Sequence, residues 1–211
     1  CRKGRFMAVA LLDYNMGTLG SVRKAPELAG AGVEVVESGA GLAKFGCCIL
    51  PGVGNFGDGM ENLKQRGFDR AIPEFLARGG YFFGVCLGMQ MLLESSEEAP
   101  GAAGLGIFPG AVVRFPAGRE KVPHMGWNSV SFRPDSPLGA GMPEGSCFYF
   151  VHSYYVPVNA AFTAAASEYI VPFSACIGSG RCFAAQFHPE KSQRCGLRLL
   201  ANFLRLAGEV K

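Results

Sequence analysis

Charge is the first thing this chain has little of. Only 18% of its 211 residues are charged and the net charge is +3. No run of five or six Lys or Arg occurs, so the basic stripe that tracks a nucleic-acid backbone is missing. The densest basic cluster, Arg2-Lys3-Gly4-Arg5, precedes Met7. It reads as a leader or vector-derived remnant over residues 1–6, ahead of a body spanning 7–211. No apolar stretch approaches the ~20 residues that would cross a bilayer. No apolar h-region with a cleavage site follows the basic start, so a secretory signal is not expected. Eight cysteines contain no C-x-x-C pair, and only three histidines are present. Neither a zinc framework nor a disulfide scaffold is indicated, and no metal or organic cofactor is expected. The thiols are expected to be reduced in a cytoplasmic setting, most of them acting as small hydrophobes.

What is present is a hydrophobic content of 49%, enough to bury a sizeable core in one domain. Short apolar runs alternate with helical patterns. Strands are expected over 8–12, 33–36, 47–50 and 81–85. Helices are expected over 18–29, with Pro26 weakening its second half, and over 58–65 and 69–78. This order argues for an α/β domain on a largely parallel sheet flanked by helices, whose chemistry sits at the carboxyl ends of the strands. From 111 to 187 the chain is mostly strand-like, with runs at 112–115, 148–151 and 184–187, so extra strands are expected in the second half. A last helix is expected over 193–206.

Gly84-Val85-Cys86-Leu87-Gly88 puts a cysteine between a buried strand and an apolar helix starting near Leu87. It is the cysteine counterpart of the G-x-S-x-G nucleophile elbow, whose tight turn needs small neighbours. A sulfur held at a helix N-terminus is favoured as thiolate, and the N–H of Leu87 is expected to donate to an oxyanion. The competing reading is a small core residue between two glycines. Phe187-His188-Pro189-Glu190 follows an apolar run, and two-residue spacing points His188 and Glu190 the same way. Glu190 is then able to hold the imidazole with its other nitrogen toward a nucleophile. Pro189 bends the chain there, and an ordinary His-Glu surface pair competes. The loop Pro51-Gly52-Val53-Gly54 offers a second oxyanion donor at Val53, against a plain turn.

Taken together these segments resemble the class I, triad-type glutamine amidotransferases over nearly the whole chain from Met7. The carrying segments are Pro51 to Gly57 (PGVGNFG), Gly84 to Gln90 (GVCLGMQ) and Phe187 to Ser192 (FHPEKS). His124-Met125-Gly126-Trp127-Asn128 and Phe150-Val151-His152-Ser153-Tyr154-Tyr155 narrow the likeness to the glutaminase subunits of imidazole glycerol phosphate synthase. The opening Asp13 to Thr18 is also similar, although Asn15 and Thr18 stand where Gly and Asn are usual.

The resemblance implies a three-layer fold with Cys86, His188 and Glu190 as a triad that hydrolyses glutamine through a thioester. It implies substrate contacts at Gly52, Gln90, Ser153 and Tyr154. It also implies a heterodimer with a (β/α)8-barrel cyclase, met near Trp127, Tyr149 and Lys191. That cyclase receives the ammonia and makes imidazole glycerol phosphate and AICAR in histidine biosynthesis. A core role for Trp127 and a solvated charge for Lys191 are the alternatives, and His124 and His152 are read as structural. Three other functions compete: a glutaminase serving another synthase, a catalytically idle partner-binding subunit, and a small cysteine hydrolase.

Overall fold

The structure, a computed structural model, describes residues 8–16, 19–118 and 120–210. The basic cluster Arg2 to Arg5 and position Thr18 lie outside the described residues. Strand β1 (Val9–Leu12) leads through a turn to helix α1 (Leu19–Leu28), which carries Pro26 inside it and then gives β2 (Val33–Val36). Strand β3 (Cys47–Leu50), helices α2 (Phe56–Gln65) and α3 (Phe68–Ala77), and strand β4 (Tyr81–Val85) follow. Helix α2 starts at Phe56, two residues before the expected start, because the Asn55 side chain accepts from the N–H groups of Gly57 and Asp58. Such a cap satisfies donors that a helix start leaves orphaned. After β4 comes only one short helical turn, α4 (Leu87–Gln90).

The second half supplies β5 (Ser95–Ser96), β6 (Ala111–Arg114), β7 (His124–Ser129), β8 (Ser131–Phe132), β9 (Cys147–His152) and β10 (Tyr154–Tyr155). The long hairpin β11 (Thr163–Tyr169) and β12 (Val171–Ser179) then leads to β13 (Cys182–Ala185) and helix α5 (Gln193–Leu206). The main sheet has the order β2-β1-β3-β4-β13-β12-β11-β8. Pairing is parallel from β2 to β13 and antiparallel from β13 to β8. The expected parallel sheet is therefore the left part of a mixed one.

Alternation along the strands buries both faces. Val9, Leu11, Cys47, Ile49, Phe83 and Val85 pack with α1 and α5. Ala10, Leu12, Cys48, Leu50 and Phe82 pack with α2 and α3 on the other side. This is a three-layer arrangement. Cys47 and Cys48 sit on opposite faces of one strand with no exposure, and burial pushes both thiols well above their ordinary range. The seven cysteines among the described residues form no disulfide. Asn15 has φ 64° and accepts from Arg66 at 2.8 Å. It takes the left-handed conformation that glycine ordinarily supplies and Asn tolerates, which explains how Asn replaces Gly at this place.

Strands β7 and β9 form a separate antiparallel ribbon in which His124 faces His152. Both imidazoles are buried, against Phe115, Phe150 and Phe173. The Tyr154 carbonyl is 2.8 Å from His152 Nδ1. A carbonyl can only accept, so that nitrogen carries the proton. His152 Nε2 then accepts from His124 Nδ1 at 3.0 Å, and His124 Nε2 faces the Asn128 amide at 3.3 Å. Every ring nitrogen is committed with both rings neutral, as the structural reading of these histidines expects. Burial pulls His124 down to about 4 and His152 to about 3.

Two expected outcomes follow from this packing. A Cβ added at Gly196 in α5 would collide with the Pro189 carbonyl. Alanine gains about 1 kcal/mol in helix propensity, but overpacking against backbone costs about 1–3 kcal/mol or more. Gly196→Ala should lower the melting temperature by several degrees, whereas Gly20→Ala, with nothing within 4 Å, should not lower it. The second concerns pH. An unfolded histidine titrates near 6.5, so below that value the unfolded state binds more protons than the fold does. The contribution of this pair to stability should be full above about pH 6.5 and fall steadily toward pH 4. Urea unfolding between pH 7.5 and 5 should show this slope, reduced by about one proton in His124→Gln. An unchanged slope would refute the neutral pair.

Candidate active site

The carboxyl ends of β3, β4 and β13 lie side by side because these strands are neighbours and parallel, with Leu50 opposite Gly84 and Ala185 opposite Val85. The three segments that leave them carry Gly52 and Val53, Cys86, and Gln186 to Glu190. Cys86 has φ 54° and ψ −107°, a conformation that side chains rarely adopt and that persists only where surroundings fix it. Two contacts fix it: its N–H donates to the Ala185 carbonyl at 2.8 Å, and the elbow is closed by close backbone approach. A Cβ on Gly84 would stand 2.7 Å from the Gly88 carbonyl, and one on Gly88 would meet the Leu50 carbonyl. Both flanking glycines are thus sterically required.

The sulfur opens into a cleft of about 330 Å³ that is also lined by Gln90, Glu98, Ser153, Tyr154, His188 and Lys191. His188 and Glu190 do face the same way: Nδ1 is 2.9 Å from Glu190 Oε1 with both side chains almost fully buried. Nε2 is left for Cys86, which lines the same cleft and acts on the imidazole electrostatically. Burial alone would lower this imidazole, but the attraction of Cys86 and Glu190 outweighs it and pushes it up to about 10. Being raised, it adds stability that is full below about pH 6.5 and fades as pH rises through about 10. A proton held beside the sulfur favours the thiolate. The Pro189 bend is accommodated by a 3-10 turn, Pro189–Lys191. Ser192 Oγ pins that turn, donating to the His188 carbonyl at 2.6 Å and accepting from the Tyr149 N–H at 3.0 Å.

The oxyanion donors are not presented as expected. The N–H of Leu87 donates to the Gly52 carbonyl at 3.3 Å. In a trans peptide the N–H points opposite to the C=O, so the Val53 N–H faces away from Cys86. The reason lies in the helix start: the first N–H of α4 needs an acceptor, and the loop turns the Gly52 carbonyl toward it. Tyr14 covers this loop, donating to the Pro51 carbonyl at 2.7 Å. A Cβ on Gly52 would collide with that hydroxyl.

Gln90 does face the cleft. Its Nε2 donates to the Tyr154 carbonyl and to Gln186 Oε1, both at 3.0 Å. Ser153 and Tyr154 line the same cleft. Trp127 is 50% exposed, which removes the core reading. It pairs across the ribbon with Tyr149, ring centroids 6.0 Å apart, and Lys191 Nζ lies 6.0 Å from the Tyr149 ring. Exposed Met125 and Val53 are on the described surface too. Sequence reasoning missed Gln186, Glu98 and Tyr14. Gln186 had a signal, standing two residues before His188 and so on the same face of an extended chain. Glu98, whose Oε2 accepts from the Phe56 N–H at 2.8 Å, had none. Among the described residues no group of His, Cys, Asp or Glu is placed to hold a metal ion.

Comparison with known proteins matches this architecture. A family model described as glutamine amidotransferase class-I matches residues 11–207. The imidazole glycerol phosphate synthase subunit HisH of Moorella thermoacetica is 48% identical over 92% of this chain and 93% of its own. The HisH subunit of Methylococcus capsulatus is 47% identical over 94% and 96%. Among solved structures, a glutamine amidotransferase superposes with a TM-score of 0.73 at 20% identity, over 95% of this chain and 99% of that one. PurLQS from Thermotoga maritima gives 0.72 at 19%, over 95% and 99%; both likenesses bear on the fold. With the family model spanning the body and relatives this similar end to end, the chain belongs to the class I glutamine amidotransferases, within the branch of HisH subunits of imidazole glycerol phosphate synthase.

Proposed function

We propose that Cys86, His188 and Glu190 hydrolyse glutamine to glutamate and ammonia, and that the ammonia passes directly to a barrel cyclase bound over Trp127, Tyr149 and Lys191. The observation that carries this reading is the buried Glu190–His188 pair, hydrogen-bonded at 2.9 Å, sharing one cleft with a sulfur raised on a strained elbow. The thiolate adds to the side-chain carbonyl carbon of glutamine, and the carbonyl oxygen takes the negative charge. The intermediate collapses as His188 gives its proton to the departing nitrogen, which leaves as ammonia. Water, deprotonated by His188, then attacks the thioester, and a second oxyanion collapses to release glutamate and restore the sulfur.

Glutamine is held along the cleft by Gly52, Gln90, Ser153 and Tyr154, and Glu98 supplies an anionic acceptor for the α-ammonium group. Residues 7–211 act as one domain. Free ammonia is protonated in water, which is why the product needs a protected route to a second enzyme. The working setting is the cytoplasm, and no helix among the described residues is long and apolar enough to cross a membrane.

The occupied Leu87 donor makes this a latent enzyme. Oxyanion donors each contribute about 10²–10³ in rate, so turning the Gly52–Val53 peptide over would supply Val53 and free Leu87 together. Glutamate release by the lone chain should be weak, rising at least about a hundredfold with cyclase and its nucleotide ligand. High turnover unaffected by cyclase would move the chain to another synthase. Cys86→Ala should abolish glutamate release while leaving the melting temperature and cyclase binding unchanged; residual full activity would sink the mechanism.

A further inference from the structure

Gln186 sits at the carboxyl end of β13 with no exposure at all. Its backbone N–H donates to the Ala175 carbonyl at 2.9 Å, so the main chain is held and the side chain has one direction to take. Burying a primary amide is costly unless its donors and acceptor are used. Here they are used on the two groups nearest the chemistry. Nε2 lies 3.7 Å from Cys86 Sγ, and Oε1 accepts from Gln90 Nε2 at 3.0 Å.

The direction of this chain of amides is not arbitrary. The Tyr154 carbonyl, 3.0 Å from the Gln90 amide, can only accept, so Gln90 must turn its nitrogen toward it. That same nitrogen faces Gln186, which must answer with its oxygen. The nitrogen of Gln186 is then the atom left for the sulfur. One backbone carbonyl therefore orients two side-chain amides and aims an N–H at Cys86. Both N–H groups of Gln90 are spent on protein, which leaves its oxygen as the acceptor for an N–H of the substrate in the cleft.

We propose that Gln186 is a positioning residue of the glutaminase site, holding the Gln90 amide with its oxygen toward substrate and donating an N–H to the Cys86 sulfur. The inference rests on the reading of Cys86 as the nucleophile. A hydrogen bond to an ionised acceptor is stronger than one to a neutral acceptor, so the contact favours the thiolate over the thiol. It complements His188, whose imidazole lines the same cleft as the sulfur.

The two functions separate in two near-isosteric variants. Q186E keeps an acceptor for Gln90 but loses the donor to sulfur; Q186M loses both. With the cyclase complex, Q186E should lower kcat about ten- to a hundredfold with KM changed little, and Q186M should lower kcat and raise KM as well. In the isolated chain, the pH midpoint for alkylation of Cys86 by iodoacetamide should rise by about one unit in Q186M, and by more in Q186E, whose added carboxylate also opposes a thiolate beside it. The other titratable groups around the sulfur are unchanged by either substitution: Tyr14 behind the oxyanion loop, His188 and Glu190 on the turn after β13, and Glu98, His152 and Lys191 around the cleft. Melting temperature and cyclase binding at wild-type values would establish that each variant is folded. Q186M, which adds no charge, carries the alkylation arm, and Q186E carries the split between kcat and KM.

Folded variants with wild-type kcat, KM and alkylation profile would overturn the proposal. A loss of activity with an unmoved alkylation midpoint would overturn it equally, since a merely structural role predicts that pattern. Failure of the unmodified chain to release glutamate even with cyclase would instead strike the glutaminase reading, while the alkylation arm would still report on the contact between Gln186 and sulfur.

Discussion

The parallel alignment of β3, β4 and β13 is the constraint on which the rest depends. Three neighbouring strands that run the same way must release their chains at the same edge of the sheet. That edge is where Gly52, Cys86 and His188 meet although up to 136 positions separate them (188 − 52). The alignment is tight enough that Gly84 and Gly88 tolerate no Cβ. The cost of the elbow, a cysteine at positive φ, is borne by the buried strands on either side. Those strands are fully covered by α1 and α5 on one face and by α2 and α3 on the other. The catalytic geometry is in this sense a property of the core.

A second economy concerns buried polar groups. The Tyr154 carbonyl accepts from both Gln90 and His152, and in doing so sets the direction of every hydrogen bond on either side of it. Toward the sulfur it orients Gln90 and Gln186. Toward the ribbon it fixes the tautomers of His152 and His124 and reaches Asn128, next to the exposed Trp127. A half-satisfied network in a low-dielectric interior is costly, so the groups are held together or lost together. His124 and His152 join the wall of the glutamine cleft to the ribbon that carries the proposed cyclase contacts.

The legible parts of the site were those in which chemistry and position lie close together in sequence. Gly84 to Gly88 announces an elbow because the small residues flank the nucleophile directly. His188 and Glu190 are two residues apart, so one strand end orients both. Val33–Val36, Cys47–Leu50, Tyr81–Val85 and Gln193–Leu206 were likewise visible as apolar runs or as a helical stripe. The hairpin of β11 and β12 was legible only as generally strand-like. Ala164, Ala165 and Ala166 have little strand preference of their own, and its order is set by pairing between β13 and β8. Glu98 enters the cleft through a bond to the Phe56 backbone 42 positions away. The peptide orientation at Gly52 leaves no mark in the sequence either, since the same four residues fit either direction of the carbonyl.

That orientation carries the balance between rest and activity. At 3.3 Å the bond from Leu87 to Gly52 is long, and a hydrogen bond of this kind contributes only about 0.5–1.5 kcal/mol net. A glycine at the pivot keeps the alternative conformation within reach. The resting state is thus held by little more than the need of one helix N–H for an acceptor. A partner that binds the turned-over loop better by a few kcal/mol would shift the population by orders of magnitude. Val53 is 45% exposed and lies directly on this pivot, so a surface laid over it acts on the peptide without crossing the core. On the proposed function, latency would follow from geometry: glutamine would be spared where no acceptor for its ammonia is docked, and the same contact that docks the acceptor would complete the oxyanion site.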